Sequence, residues 1–171
     1  MKDTRNRRAS SVALSILSVL LSLPSFAAEK TFEIGAVLGK GPDAFEKVLG
    51  TGFTVRSYAS AKPGDQGQNY YARNAEVPDL GLVSLLTDNG KEDGAIGNVE
   101  VYFTDKTIIT WQAAFSKLGI SSKLTNGEGQ ENTERLTLLP IDGKTWMAAF
   151  YAKGREDSEG RPTLLLWRER K

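Results

Sequence analysis

The chain has 171 residues, with 22 Lys and Arg, 21 Asp and Glu, no histidine and no cysteine. The two missing residue types exclude disulfides, lipid attachment to a thiol, the usual zinc and copper ligands, and every triad or general base built on imidazole. The near-balanced charge gives no reason to expect nucleic acid or an anionic membrane surface as a partner.

Lys2, Arg5, Arg7 and Arg8 precede an apolar run from Val12 to Leu23, which breaks at Pro24 and ends in Ser25-Phe26-Ala27-Ala28. A basic start, a short apolar centre and small residues at the end make the layout of a cleavable secretory signal. The run is shorter than the roughly 20 residues a spanning helix needs. Ser25 and Ala27 supply small residues at the −3 and −1 positions of a cut after Ala27. A cut after Ala28 is the alternative, and it would place bulky Phe26 at −3. Arg7-Arg8 raises a twin-arginine route, which the small polar Ala9-Ser10-Ser11 that follows disfavours. The expected organisation is a signal over 1–27 and one α+β domain over 28–171, located in the periplasm or secreted. Residues 1–27 hold four of the basic residues and one acid, so the remainder has 18 basic and 20 acidic residues and a net charge of −2. No later stretch is apolar enough to span a bilayer, so no stable membrane insertion is expected. Without disulfides, the fold must rest on its core, which a chain of this length can supply.

Residues 31–38 read as an extended lead-in. Pro42 suits a first helical position, Asp43 complements the helix dipole, and Ala44, Phe45, Val48 and Leu49 share one face, so a short helix is predicted over 42–49. Gly50 stands where a left-handed cap ends it. Strands are predicted at 53–58 and 69–73, with a loop at 61–68; 80–86 is a strand or a short helix. Residues 88–94 form a turn. Val99, Val101 and Phe103 alternate along a strand at 98–103. Asp105-Lys106 would turn the chain into a partner strand at 107–110. Trp111, Ala114, Phe115 and Leu118 mark a second short helix, closed by Gly119. A polar loop at 121–133 precedes strands at 135–139, 145–152 and 163–168, the last two forming a closing hairpin. The predicted fold class is α+β: an antiparallel sheet with two short helices packed on one face.

Gly39-Lys40-Gly41-Pro42-Asp43-Ala44 fits the outline G-x-G-x-x-A of a dinucleotide fingerprint. The helix after it is too short, and no βαβ series or ribose-binding acid follows, so a plain loop-to-helix junction is the better reading and no cofactor is expected. Asn89 to Glu100 has the length of a calcium loop, but Lys91 falls at a ligand position and a strand pattern follows, so no metal site is expected. Glu128, Glu131, Glu134, Glu156, Asp157 and Glu159 lie in polar stretches, and nothing pairs two of them as a glycosidase requires. Ser-x-x-Lys is missing after residue 27, and Gly-x-Ser-x-Gly is missing throughout. No catalytic residue is therefore assigned. Tyr70, Tyr71 and Arg73 form a candidate aromatic and basic binding strip, although alternate strand residues face opposite sides and one Tyr would then pack inward. Trp111, Trp146 and Trp167 each sit in an apolar pattern and read as core or cap residues.

The stretch Leu38-Gly39-Lys40-Gly41-Pro42-Asp43-Ala44-Phe45-Glu46-Lys47-Val48-Leu49-Gly50 resembles the opening helix of small exported bacterial domains of the beta-lactamase-inhibitor-like and SmpA/OmlA-like group. The likeness extends over residues 38–119, through the strand pair and the helix ending Lys117-Leu118-Gly119. Gly41 stands in place of the group's capping Ser, and the lipidation Cys is missing. The resemblance implies a short helix pair on an antiparallel sheet and protein–protein contact through the sheet. The resulting expectation is a non-catalytic exported domain that binds an envelope or secreted protein. A carboxylate- or Ser–Lys-based hydrolase and a carrier of a small apolar ligand are the alternatives.

Overall fold

The computed structural model describes residues 30–59, 69–121, 134–141 and 144–169, with backbone alone at 58, 59, 69, 70, 134–141 and 157. The signal cleavage residues Ala27 and Ala28 and the loops at 61–68 and 122–133 lie outside the described residues.

Seven strands make one antiparallel sheet: β1 (Thr54–Ala59), β2 (Asn69–Val77), β3 (Gly81–Thr87), β4 (Ile96–Phe103), β5 (Glu134–Ile141), β6 (Lys144–Tyr151) and β7 (Thr163–Arg168). Their spatial order is β1-β2-β3-β4-β7-β6-β5. Two meanders thus meet at the β4–β7 pair, where Val101 lies opposite Leu164 and Asn98 opposite Trp167. The chain passes from one meander to the other through helix α2 (Trp111–Lys117).

Helix α1 spans Pro42–Leu49, with Pro at its first turn and Gly50 as a left-handed cap at φ 70°. These are the bounds the sequence predicts. Its apolar stripe buries Phe45 and Leu49. In α2 the Thr110 hydroxyl accepts a hydrogen bond from the Ala113 amide, which satisfies one of the donors a helix start leaves open. Ala114 and Phe115 face the core, and Trp111 packs edge-on against Phe115 with ring centroids 5.4 Å apart.

Two expectations are corrected. Residues 107–110 form no strand; Asp105 accepts hydrogen bonds from the Thr107 amide and hydroxyl in a turn that delivers Thr110 to its capping position. The partners of β4 are β3 and β7, which occupy both of its edges. The lead-in at 31–38 is not extended throughout, since Ile34–Ala36 make a 3-10 turn. Its backbone joins the end of α2: the Phe32 amide donates to the Lys117 carbonyl at 2.8 Å and the Gly35 amide to the Leu118 carbonyl at 3.1 Å. A side chain at Gly35 would put its Cβ 2.6 Å from the Gly119 carbonyl oxygen, so only glycine permits that approach.

Alternation along the strands divides the sheet into two faces. One transverse row runs Ala75, Val83, Val101, Leu164, Phe150 across β2, β3, β4, β7 and β6. These side chains, together with Leu85, Val99, Leu166, Ala148 and Trp146, form a single buried cluster with Ile34, Phe45, Leu49, Phe115 and Leu118 from the turn and both helices. The helices therefore cover this face. Among the described residues no helix is long and apolar enough to cross a membrane.

Candidate functional site

The opposite face carries the alternate residues. Its rows are Glu76, Leu82, Tyr102, Thr163, Tyr151; then Asn74, Ser84, Glu100, Leu165, Ala149; then Ala72, Leu86, Asn98, Trp167, Met147. None of these belongs to the core cluster that α1 and α2 share, so neither of those helices covers this face; the connection from β6 to β7, with a 3-10 turn at Glu156–Ser158, reaches it through Arg155 and Arg161. Leu82, Leu86, Leu165, Trp167, Met147 and Tyr151 are half-buried, whereas Ala72, Tyr102, Ala149 and Thr163 are buried. The face is consequently an apolar and aromatic surface with polar groups set into it. At its centre Tyr102 donates a hydrogen bond to the Glu100 carboxylate at 2.9 Å, and the Arg155 guanidinium lies 3.7 Å from the other oxygen. The Arg161 guanidinium lies 5.8 Å from the centre of the Tyr102 ring.

The end of the sheet holds a groove of about 400 Å3, lined by residues of both faces: Leu86, Thr87, Asp88, Gly97, Asn98, Trp167 and Arg168. It forms where β3 ends, β4 begins and β7 runs out. A bulge there pairs Leu86 with Asn98 but Thr87 with Ile96, which leaves Gly97 as the extra residue. Asp88 folds across the bulge, and a Cβ on Gly97 would collide with its carboxylate. The same carboxylate pairs with the Arg168 guanidinium, which in turn lies 5.9 Å from the centre of the Trp146 ring. The ion pair ties the turn after β3 to the end of β7 and leaves the groove with no net charge.

Three buried polar atoms of this groove have no hydrogen-bond partner: Thr87 Oγ1, Asn98 Oδ1 and Arg168 Nε. Thr87 is only 6% exposed. Each buried polar group left unpaired costs about 1–3 kcal/mol, and native proteins carry few of them. The register divides them between the faces: Thr87, opposite Ile96, and Arg168, opposite Trp146, take helix-side positions, whereas Asn98 takes the other face beside Trp167.

The predicted strip at Tyr70, Tyr71 and Arg73 lies on β2, and alternation divides it. Tyr71 and Arg73 take the helix-side positions, whereas Tyr70 takes a position on the opposite face, across from Tyr58 of β1. Arg73 donates to the Glu92 carbonyl at 2.8 Å and lies 3.8 Å from its carboxylate, so it fastens the β3–β4 turn. Of the tryptophans, Trp146 is fully buried and Trp111 packs against the core, but Trp167 lies on the uncovered face in the groove wall. Its exposure was not legible in Thr163-Leu164-Leu165-Leu166-Trp167, which is apolar on both faces.

The junction before α1 has acids where a pyrophosphate would need space: Asp43 and Asp93 share a hollow there with Lys47 and Arg73. In the calcium-like stretch the Asn89 side-chain oxygen accepts the Lys91 amide at 3.0 Å in a local turn. Among the described residues no three potential ligating side chains of Asp or Glu converge. No protein-family model, no curated protein and no solved structure matches this chain.

Proposed function

We propose that this chain is an exported, non-catalytic module that binds another protein of the cell envelope through the uncovered face of its sheet. The single observation that carries the reading is that face: Leu82, Leu86, Leu165, Met147, Tyr151 and Trp167 are half-buried and lie side by side with neither α1 nor α2 over them. Aromatic residues in a partly desolvated surface are the usual anchors of protein interfaces, because they bury a large area at little entropic cost. The carboxylate at the centre of the face is engaged: Glu100 is held by Tyr102 and Arg155. That arrangement supports recognition better than acid–base work. The leader at 1–27 and the likeness of residues 38–119 to small exported domains point the same way.

Photo-crosslinking in cells tests the reading. A crosslinker placed at Leu165 or Met147 on the sheet face is expected to capture a defined envelope protein. One placed at Ile109, which is 65% exposed on the helix side, is expected to capture none. Adducts confined to the helix side, or hydrolysis of model glycosides or esters by the purified chain, would overturn it.

A further inference from the structure

We infer that two copies of this chain pair through the outer edge of β1, so that their sheets join into one. The strand order leaves the sheet with two edges, β1 and β5. Unpaired amides and carbonyls along an edge are a template for a further strand unless something guards them. β5 is guarded twice: Pro140 has no amide hydrogen to give, and the register with β6 shifts between Leu138 and Ile141. β1 has neither device. Thr54–Ala59 keeps an unbroken register with β2 and includes no proline. Thr54, Val55, Arg56 and Ser57 are exposed, and among the described residues no strand pairs with the outer edge. The strand also suits a second copy of itself. Antiparallel copies related by a two-fold axis keep their faces, so opposite residues differ by an even number of positions and one residue meets its own counterpart at the axis. Centring on Arg56 would set two guanidinium groups directly opposite, a destabilising cross-strand pair. Centring on Ser57 removes that conflict: Ser57 meets Ser57, Arg56 stands opposite Tyr58 and Val55 opposite Ala59 of the second copy. Residues 55–59 of each copy make a small interface, below the roughly 1,000 Å2 that stable complexes bury, so the dimer is a weak one.

The chain has no cysteine, so one introduced thiol reports on one position. Opposite residues of an antiparallel pair have Cα atoms about 4.5–5.5 Å apart, within reach of a disulfide. Under mild oxidation Ser57→Cys is expected to form a disulfide-linked dimer at least about tenfold faster than Arg56→Cys or Ile109→Cys. Sedimentation equilibrium should show the unmodified chain self-associating at about 1 mM, and Ser57→Lys, which sets like charges at the axis, weakening that association about fivefold. An unchanged thermal melt in dilute solution verifies that the Lys variant is folded. A monomer throughout, crosslinking at position 56 or 109 as fast as at 57, or undiminished association of the Lys variant would each overturn the assignment. The inference does not depend on what binds the sheet face, which the photo-crosslinks at Leu165 and Met147 judge separately.

Discussion

Thr87→Val should make the protein more stable, although it deletes a polar group. Thr87 is 6% exposed, and its Oγ1 has no hydrogen-bond partner. In the folded chain that hydroxyl has lost water and gained nothing, a cost of about 1–3 kcal/mol for a neutral group. Replacing it with a methyl group recovers that cost and adds roughly 0.8 kcal/mol for the extra buried carbon. Relaxation of neighbouring groups recovers part of the penalty, so the net gain should be about 1 kcal/mol. For a chain of this size that raises Tm by about 3 °C. Thr87→Ser is the companion: it keeps the hydroxyl, loses the methyl and should cost about 1 kcal/mol. Urea melts with an unchanged m-value measure both differences. A loss of 1 kcal/mol or more in the Val variant would show that the hydroxyl is hydrogen-bonded in the folded state.

Three further outcomes follow from the packing. Gly35→Ala would drive a methyl group into the Gly119 carbonyl at 2.6 Å, both partners being backbone, so urea melts should show a loss of about 2 kcal/mol or more. Trp146→Ala empties the largest fully buried side chain of the core and should cost about 3–5 kcal/mol, a substantial part of a typical domain's stability. It should also disturb the Arg168 Nε–H resonance, since that guanidinium lies over the indole. Hydrogen bonds from the Thr107 hydroxyl and amide, aided by Lys117, hold the Asp105 carboxyl below its ordinary value. The stability Asp105 contributes relative to Asp105→Asn is therefore fully present above the ordinary carboxylate range and is lost as pH falls through the lowered value. Melts of both proteins across that acid range should converge; a gap that widens on acidification would refute the sign.

Much of the fold was legible because its signals act over a few residues. Pro42 and Gly50 bound α1, Gly119 follows α2, and the alternation at 98–103 lies within β4. The closing hairpin of β6 and β7 was equally local. Where competing local solutions existed, the pattern misled. Thr107-Ile108-Ile109-Thr110 has strand composition, yet the hydrogen bonds to Asp105 and the cap on α2 satisfy its polar groups without a sheet partner. The Tyr70, Tyr71 and Arg73 grouping depended on neighbours in sequence sharing a face, which a pleated strand does not allow.

The sequence by itself determined the two short helices, most strands and the sheet-plus-helix class, because capping, turn chemistry and periodicity are properties of neighbouring residues. Only the tertiary structure decided that β7 enters beside β4, and hence which of Leu164, Leu165, Leu166 and Trp167 face the helices. A strand apolar on both sides can be turned either way; the pairing register chooses. That register brings the ends of β3, β4 and β7 to one groove, a juxtaposition that no stretch of the chain encodes locally.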